Sequence, residues 1–516
     1  MKYKFLAYIP AMAAALLSFA SCSEDFLDRE VDGGYITPDQ IEKSAGWNPK
    51  ILLGETQGIT SSLIRWRAGG STSNQSDFGQ KSTDIATDLI THDMVFSQGC
   101  SYGWFRSEAT GTSVTRTGDR TQLVWYNYYK VIDACNFTFT TIGSDEVEPT
   151  NADNKIYFAE AKTARAYAYL QLETLYAGNY ETDKDKKVLP IYREQSDTYH
   201  APETNAKVYE QILFDLDGAI QAFKNAEAEG VTTGDAIDQP SIAVAYTLKA
   251  YAYLQMGENA QAKANADLAI EASGKSILPQ NKLNFGFNNV NNDDWMWGVD
   301  ITADNTGGLC TFWGMMDLFT YSYTAAGDFK VINSDLFNQI PETDARRNWF
   351  TTSPYYQRYA GTAMESLCLL PTGKFHSAIS NSIMGDRSWE SDIHFMRVEE
   401  CYLIAAEAEA RENNLASACT YLKAILDNRD EAKAATISSM SKDELLDEIF
   451  FEWRVEMWGE GKSLMTFKRF KKDANLTAEN DYYTEQNTIG YNSPKFIFRI
   501  PNQELQYNPS MKDADQ

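Results

Sequence analysis

Apolar residues recur at three- and four-residue intervals along much of this chain, the spacing that gathers them on one side of an α-helix. The pattern predicts helices over 121–142 (TQLVWYNYYKVIDACNFTFTTI) and 155–177, and again over 207–228, 240–256, 259–272, 395–412, 415–427 and 441–458. The last opens on a start signal. Ser441 and Glu444 form an S-x-x-E capping box, in which each side chain satisfies a backbone N–H that the first turn leaves free. Two blocks break the pattern. Residues 60–118 are rich in Gly, Ser and Thr with scattered aromatics, and residues 280–390 mix turn signals, short β-like runs and aromatics. Irregular stretches of that length inside a folded protein tend to be functional loops, so the binding site is expected there.

Several predicted helices pair. Tyr246, Ala250, Tyr253, Gly257, Ala262, Ala266 and Ala269 match the tetratricopeptide pattern, in which small residues let two antiparallel helices approach and a glycine ends the first. Ala406, Ala418, Leu422 and Ile425 form a weaker copy. The expected fold is mostly α: a tetratricopeptide-like solenoid of helix pairs (about 121–177, 207–272 and 395–458), with long irregular loops and a few short strands. Stacked pairs bury a continuous core, which lets 46–516 form a single domain although chains above about 250–300 residues usually divide.

The N-terminus reads as an export leader over 1–21. Lys2 and Lys4 precede an apolar run from Ile9 through Phe19, about the length of a signal core and too short to span a bilayer. The run closes Phe19-Ala20-Ser21-Cys22, small residues before a cysteine, as a lipoprotein signal peptidase requires, so Cys22 is the expected lipidation site. Residues 22–45, opening Cys22-Ser23-Glu24-Asp25, read as an acidic tether, and the acyl chains would hold the body at a membrane.

Charge narrows the partners. The chain carries 72 acidic against 46 basic residues, a net charge of −26, and loss of Lys2 and Lys4 with the leader makes it −28. Such a body does not suit nucleic acid, whose phosphates demand Lys and Arg. It suits a neutral ligand, and 29 Tyr, 26 Phe and 11 Trp supply rings that can stack on sugars. The six cysteines after Cys22 show no C-x-x-C and are expected as buried free thiols. His92, His200, His376 and His394 stand in no metal spacing, and the chain has no nucleophile elbow, P-loop or dinucleotide fingerprint. His394 is expected to cap or pack the start of the 395–412 helix. No enzyme activity and no cofactor are expected; a structural Ca²⁺ would have to be held without a recognisable ligand motif.

Order along the chain then brings a family into view. The lipobox and acidic tether are followed by Asp77-Phe78-Gly79, Ala86-Thr87-Asp88-Leu89 and Asp93-Met94-Val95. Next come Tyr128-x-x-Val131-Ile132-x-Ala134-Cys135-Asn136, and Ala159-Glu160-Ala161 through Arg165-Ala166-Tyr167-Ala168-Tyr169 to Leu175-Tyr176. Phe395-Met396-Arg397-Val398-Glu399-Glu400-Cys401-Tyr402-Leu403-Ile404 leads to Glu452-x-Arg454-x-Glu456, Glu460-Gly461 and Lys468-Arg469, and the chain closes with Ile500-Pro501, Glu504 and Asn508-Pro509. In this order the segments resemble the SusD/RagB family of outer-membrane nutrient-binding lipoproteins. The resemblance implies a helical scaffold of four tetratricopeptide-like pairs, a ligand site on irregular segments, a cell-surface position, and a SusC-like TonB-dependent transporter that the protein caps. One departure stands out. Ser463 and Thr466 occupy places where the family usually has Arg and Asp; because both members of an ion pair are absent together, the fold is expected to survive.

The expected ligand contacts are Tyr102, Trp104, Phe105 and Arg106 in the first irregular block, with Trp313, Tyr321 and Tyr323 in the second. Rings would stack on the C–H faces of a sugar and Arg106 would donate to hydroxyls. Each ring has core packing as its competing role. Trp295 and Trp297 alternate as in a buried strand and are assigned to the core, and Tyr355, Tyr356 and Tyr359 near Arg358 form a further candidate cluster. The leading functional expectation is a glycan-binding lipoprotein that delivers its ligand to the transporter. A peptide-binding member of the same family, a periplasmic helix-repeat adaptor and a glycoside hydrolase are the alternatives.

Overall fold

The caps show where each apolar stripe becomes a helix and where it stops. In the computed structural model, which describes residues 51–516 apart from 73, 196–197, 234–235, 352–367, 379–386, 388, 484–487 and 515–516, α1 (Ile51–Ser62) and α2 (Gln80–Ile90) precede strand β1 (Met94–Phe96). Helices α3 (Asp119–Ile142) and α4 (Ala152–Tyr176) follow, then β2 (Lys187–Pro190), β3 (Pro202–Thr204) and α5 (Asn205–Ala228). After α6 (Ile242–Met256) and α7 (Asn259–Ser273) come β4 (Trp295–Val299), β5 (Lys330–Ile332) and β6 (Ile393–Arg397). The chain ends with α8 (Val398–Arg411), α9 (Leu415–Leu426), α10 (Lys442–Glu456), α11 (Ser463–Phe470) and α12 (Asn502–Tyr507). The leader, Cys22 and the tether lie outside the described residues, as do Tyr355, Tyr356, Arg358 and Tyr359.

Asn151, Thr204 and Ser241 cap α4, α5 and α6, each side-chain oxygen accepting an N–H of the first turn. The expected box at α10 is present: Glu444 accepts from the Ser441 N–H at 2.8 Å, and the Ser441 hydroxyl accepts from the Glu444 N–H. Gly257 ends α6 in the left-handed conformation at φ 79°, and Ala250, Ala262, Ala266 and Ala269 are fully buried where α6 and α7 meet. Helix α4 is buried around nearly its whole circumference, because it lies between α3 and α5.

One predicted helix divides. Residues 393–397 form β6, antiparallel to β4, with Trp295 opposite Arg397 and Val299 opposite Ile393, and α8 begins only at Val398. Glu400 starts it by accepting the Arg397 N–H at 2.9 Å. His394 therefore sits in a strand rather than at a helix start; its Nε2 lies 2.8 Å from Glu460 Oε2 and burial pushes its pKa down to about 3. Trp295 and Trp297 are fully buried, the latter edge-on to Tyr167 at 5.1 Å.

The Glu452-x-Arg454-x-Glu456 run owes its spacing to two faces of α10. Glu452 and Glu456, one turn apart, receive Arg346 at 2.7 and 3.2 Å, and Arg429 donates to Glu456 at 2.9 Å. Arg397 donates to Glu460 at 2.9 Å, and Lys374 spends its ammonium on Glu460 and on the carbonyls of Glu456 and Trp458. Arg454, on the other face, grips Asp93 at 2.6 Å, and Ser463 adds a hydroxyl to the same carboxylate at 2.6 Å. Thr466 turns its hydroxyl onto the Lys462 carbonyl at 2.8 Å. Neither position holds a charge left without a partner. The six cysteines in the described chain are all free, and all but Cys419 are buried.

Candidate functional site

A two-strand ladder places the two irregular blocks side by side. Strand β1 pairs antiparallel with β5, Met94 opposite Ile332 and Phe96 opposite Lys330, so the loop leaving β1 meets the loop entering β5. Val95, Leu318, Phe319, Phe329, Val331, Cys368 and Leu370 form a small separate core beneath them. The loop over 97–105 is then held by one buried carboxylate. Asp328 accepts from the Ser101 N–H at 2.7 Å and the Tyr102 N–H at 3.4 Å, and Cys100 Sγ lies 3.1 Å away. The Tyr483 hydroxyl accepts the Cys100 N–H at 2.8 Å. Burial pushes the Cys100 thiol up to about 12, so it is neutral beside Asp328.

This frame brings Tyr102, Trp104 and Tyr323 together. Their rings meet edge to face, Tyr102 at 4.7 Å and Trp104 at 6.3 Å from Tyr323. Tyr323 is only 6% exposed and forms the floor, its hydroxyl bonded to Gln75, while Tyr102 stands 53% exposed and Trp104 is half-buried. Tyr321, 48% exposed, lies two residues along; Arg387 covers its ring at 4.9 Å and Trp389 Nε1 donates to its carbonyl at 3.2 Å. Tyr321 and Tyr323 belong to a turn rather than a strand, and their exposures differ because Asp317 folds the segment by accepting from the Phe319 and Thr320 N–H groups at 3.0 and 2.9 Å.

Two expected contacts are corrected. Phe105 is 2% exposed, adopts the left-handed conformation at φ 65°, and packs edge-on to Phe78 at 6.1 Å with the Arg120 guanidinium 4.8 Å from its ring. It pins the loop to the core from below. Trp313 is 1% exposed in the one-turn helix Phe312–Met316, against Phe312 and Phe375, so its ring belongs to the interior. Arg106 is exposed, and its Nε donates to Tyr483 Oη at 3.2 Å. Sequence reasoning passed over Gln75, Asp328, Trp389 and the adjacent Tyr482 and Tyr483. Tyr482, 60% exposed, lies against Gly99, where a Cβ would come within 3.2 Å of its ring. The Tyr-Tyr pair in a loop was the available signal.

Among the described residues no group of His, Cys, Asp and Glu is arranged to hold a metal ion, and no helix is long and apolar enough to cross a membrane. The arrangement offers ring faces, a few exposed donors and carboxylates already spent on loop backbone.

The model of the SusD family matches residues 274–514, and a second, described as "Starch-binding associating with outer membrane", matches residues 72–254. The chain belongs to the SusD/RagB family. Solved structures share the fold across nearly its whole length. A SusD-like carbohydrate binding protein from Bacteroides vulgatus superposes with TM-score 0.72 at 22% identity, covering 90% of this chain and 98% of its own. A SusD superfamily protein from Bacteroides thetaiotaomicron gives 0.70 at 20% identity, covering 89% and 98%. Surface glycan-binding protein A from Bacteroides thetaiotaomicron gives 0.62 at 14% identity, covering 89% and 97%. No curated protein sequence matches this SusD-family chain. Both irregular blocks fall mainly inside the matched regions.

Proposed function

We propose that this protein is a non-catalytic glycan-binding lipoprotein of the outer-membrane surface, which captures an oligosaccharide on the Tyr102, Trp104, Tyr321 and Tyr323 surface and passes it to a SusC-like TonB-dependent transporter. The observation that carries the reading is the meeting of the Tyr102 and Trp104 rings with Tyr323, from loops more than two hundred residues apart, with Tyr102 and Tyr321, two residues along from Tyr323, about half exposed. Rings held edge to face keep their positions before a ligand arrives, so little ordering cost is left for binding. The related family model and structures, which are starch-binding, carbohydrate binding and surface glycan-binding, support sugar as the ligand class. A hydrolytic role is not favoured by the local acids: Asp317 and Asp328 are held by backbone N–H groups rather than set across an open cleft. The acylated Cys22 would supply the anchor and the acidic tether the reach.

The test is affinity electrophoresis of residues 23–516 against plant, host and microbial polysaccharides. Retardation by one polysaccharide class, lost in Tyr102→Ala and Trp104→Ala with unchanged circular dichroism, supports the reading. No retardation by any glycan, or retardation that survives both substitutions, overturns the assignment of this surface; binding of peptides instead would make it a peptide-capturing family member. In cells, Cys22→Ser is expected to move the protein from the membrane fraction to the soluble one.

A further inference from the structure

A second aromatic site is built from residues outside these loops. Helix α3 turns Trp125, Tyr126, Tyr129 and Asp133 along one face, the spacing of successive turns. The segment after β2 brings Tyr192 and Glu194 opposite, and α12 brings Glu504. Together they enclose a cavity of about 360 Å³, within the range of roughly 300–1,000 Å³ usual for small-molecule pockets. Trp125 and Tyr129 lie 4.7 Å apart, and Tyr129 meets Tyr192 edge to face at 5.9 Å.

The donors of this cavity are largely spent. Trp125 Nε1 donates to Glu504 at 3.3 Å, Tyr126 Oη to Gln503 at 3.0 Å, and Tyr129 Oη to the Pro190 carbonyl at 3.0 Å. Asn136 gives its amide to the Tyr192 and Glu194 carbonyls at 3.3 and 3.2 Å. Beside the ring faces and the Thr198 and Tyr199 side chains, the charged groups facing the space are three carboxylates, Asp133, Glu194 and Glu504; among the described residues no Lys or Arg lines it. An anion finds nothing there to receive it. A neutral polyol would leave the carboxylates without a counter-charge, whereas a positively charged group is attracted both by the ring faces and by the acids.

We infer that this cavity binds an organic cation: an ammonium group on a short aliphatic stem, from a free amine or from a lysine side chain of a peptide. Burial holds the Glu504 carboxyl above its usual range, and a cation beside it would favour the charged form. The inference does not depend on the glycan reading, since the two sites share no residue.

The test is isothermal titration of residues 23–516 at about 0.15 M salt, where surface charge is screened beyond roughly 8 Å. Choline represents the free cation and Nα-acetyl-lysine amide the side chain; 3,3-dimethylbutan-1-ol is the neutral counterpart of choline. We expect one saturable site for at least one cation, neutral-alcohol binding weaker by about tenfold or more, and a loss of about tenfold in both Glu504→Gln and Tyr126→Ala. The stronger of the two cations identifies the source. Glu504→Gln changes little volume and Tyr126 is partly exposed, so folding of both is checked by thermal melting. Equal affinity for the neutral alcohol, binding untouched by both substitutions, or no heat from either cation would each overturn the inference.

Discussion

At the scale of single residues, exposure separates what holds the proposed glycan surface from what presents it. Phe105 and Tyr102 sit three positions apart on one loop, yet one is 2% and the other 53% exposed. Phe105→Ala is expected to cost about 3–5 kcal/mol in urea unfolding, because it empties a core site under the loop. Tyr102→Ala should cost about 1 kcal/mol or less while removing glycan retardation. Equal destabilisation by the two would contradict the placement of Tyr102. A second residue-scale expectation concerns pH. Glu160 of α4 is buried where α1 packs, and desolvation pushes its carboxyl up to about 8 although the Thr56 hydroxyl favours the anion. The folded protein thus keeps a proton that the unfolded chain, near the ordinary carboxyl value of 4.5, releases. Stability from this group is full below the unfolded value, falls as pH rises between the two, and is flat above about 8. Thermal midpoints measured from pH 5 to 9 should show a smaller decline in Glu160→Gln than in the parent; identical slopes would show that Glu160 does not titrate in this range.

At the scale of elements, the crossing of charges at the end of α10 joins the insertion to the helical scaffold. Arg346 comes from the second irregular block, Arg397 from β6 and Arg429 from beyond α9, and all converge on Glu456, whose carboxyl these guanidiniums hold far below its usual range. Glu456→Ala would leave three buried guanidiniums short of a partner and is expected to cost about 3–5 kcal/mol, read as a shifted urea midpoint with unchanged slope. A loss below about 1 kcal/mol would mean that the remaining carboxylates absorb the charge. The helices themselves were legible because their apolar period, caps and Gly257 are local signals: 207–228 was read where Asn205–Ala228 stands. Phe395-Met396-Arg397 was misread as helix because every position of β6 is buried, which erases the alternation that marks a strand. The site was half legible for a related reason. An aromatic in a Gly-rich loop announces a ring but not its direction, and direction here is set by Asp328, more than two hundred residues from Tyr102. Trp313 failed on the same ground, since Thr311 caps a single helical turn that rotates the indole inward.

At the scale of the whole molecule, net charge and ligand chemistry make opposite demands, and salt separates them. A body of charge −28, without Lys2 and Lys4, repels anions at long range and gathers cations non-specifically over its surface. Stacking of a neutral sugar on Tyr102, Trp104 and Tyr321 contains no ionic term. Retardation by the preferred polysaccharide should therefore stay constant when salt rises from about 0.05 to about 0.5 M, although the Debye length shortens from roughly 14 to roughly 4 Å. A large loss over that range would mean that the exposed Arg106 and Arg387 carry the affinity, and the ligand would then be an acidic glycan drawn in against the field of the protein. Cation capture near α12 should behave differently. Its carboxylates gain from the same field, so affinity should weaken with salt, yet the part due to the enclosed rings of Trp125 and Tyr129 should persist at high salt. A cation signal that vanishes entirely by about 0.5 M would reduce that site to surface charge, while a residual saturable fraction would place the ligand inside the cavity.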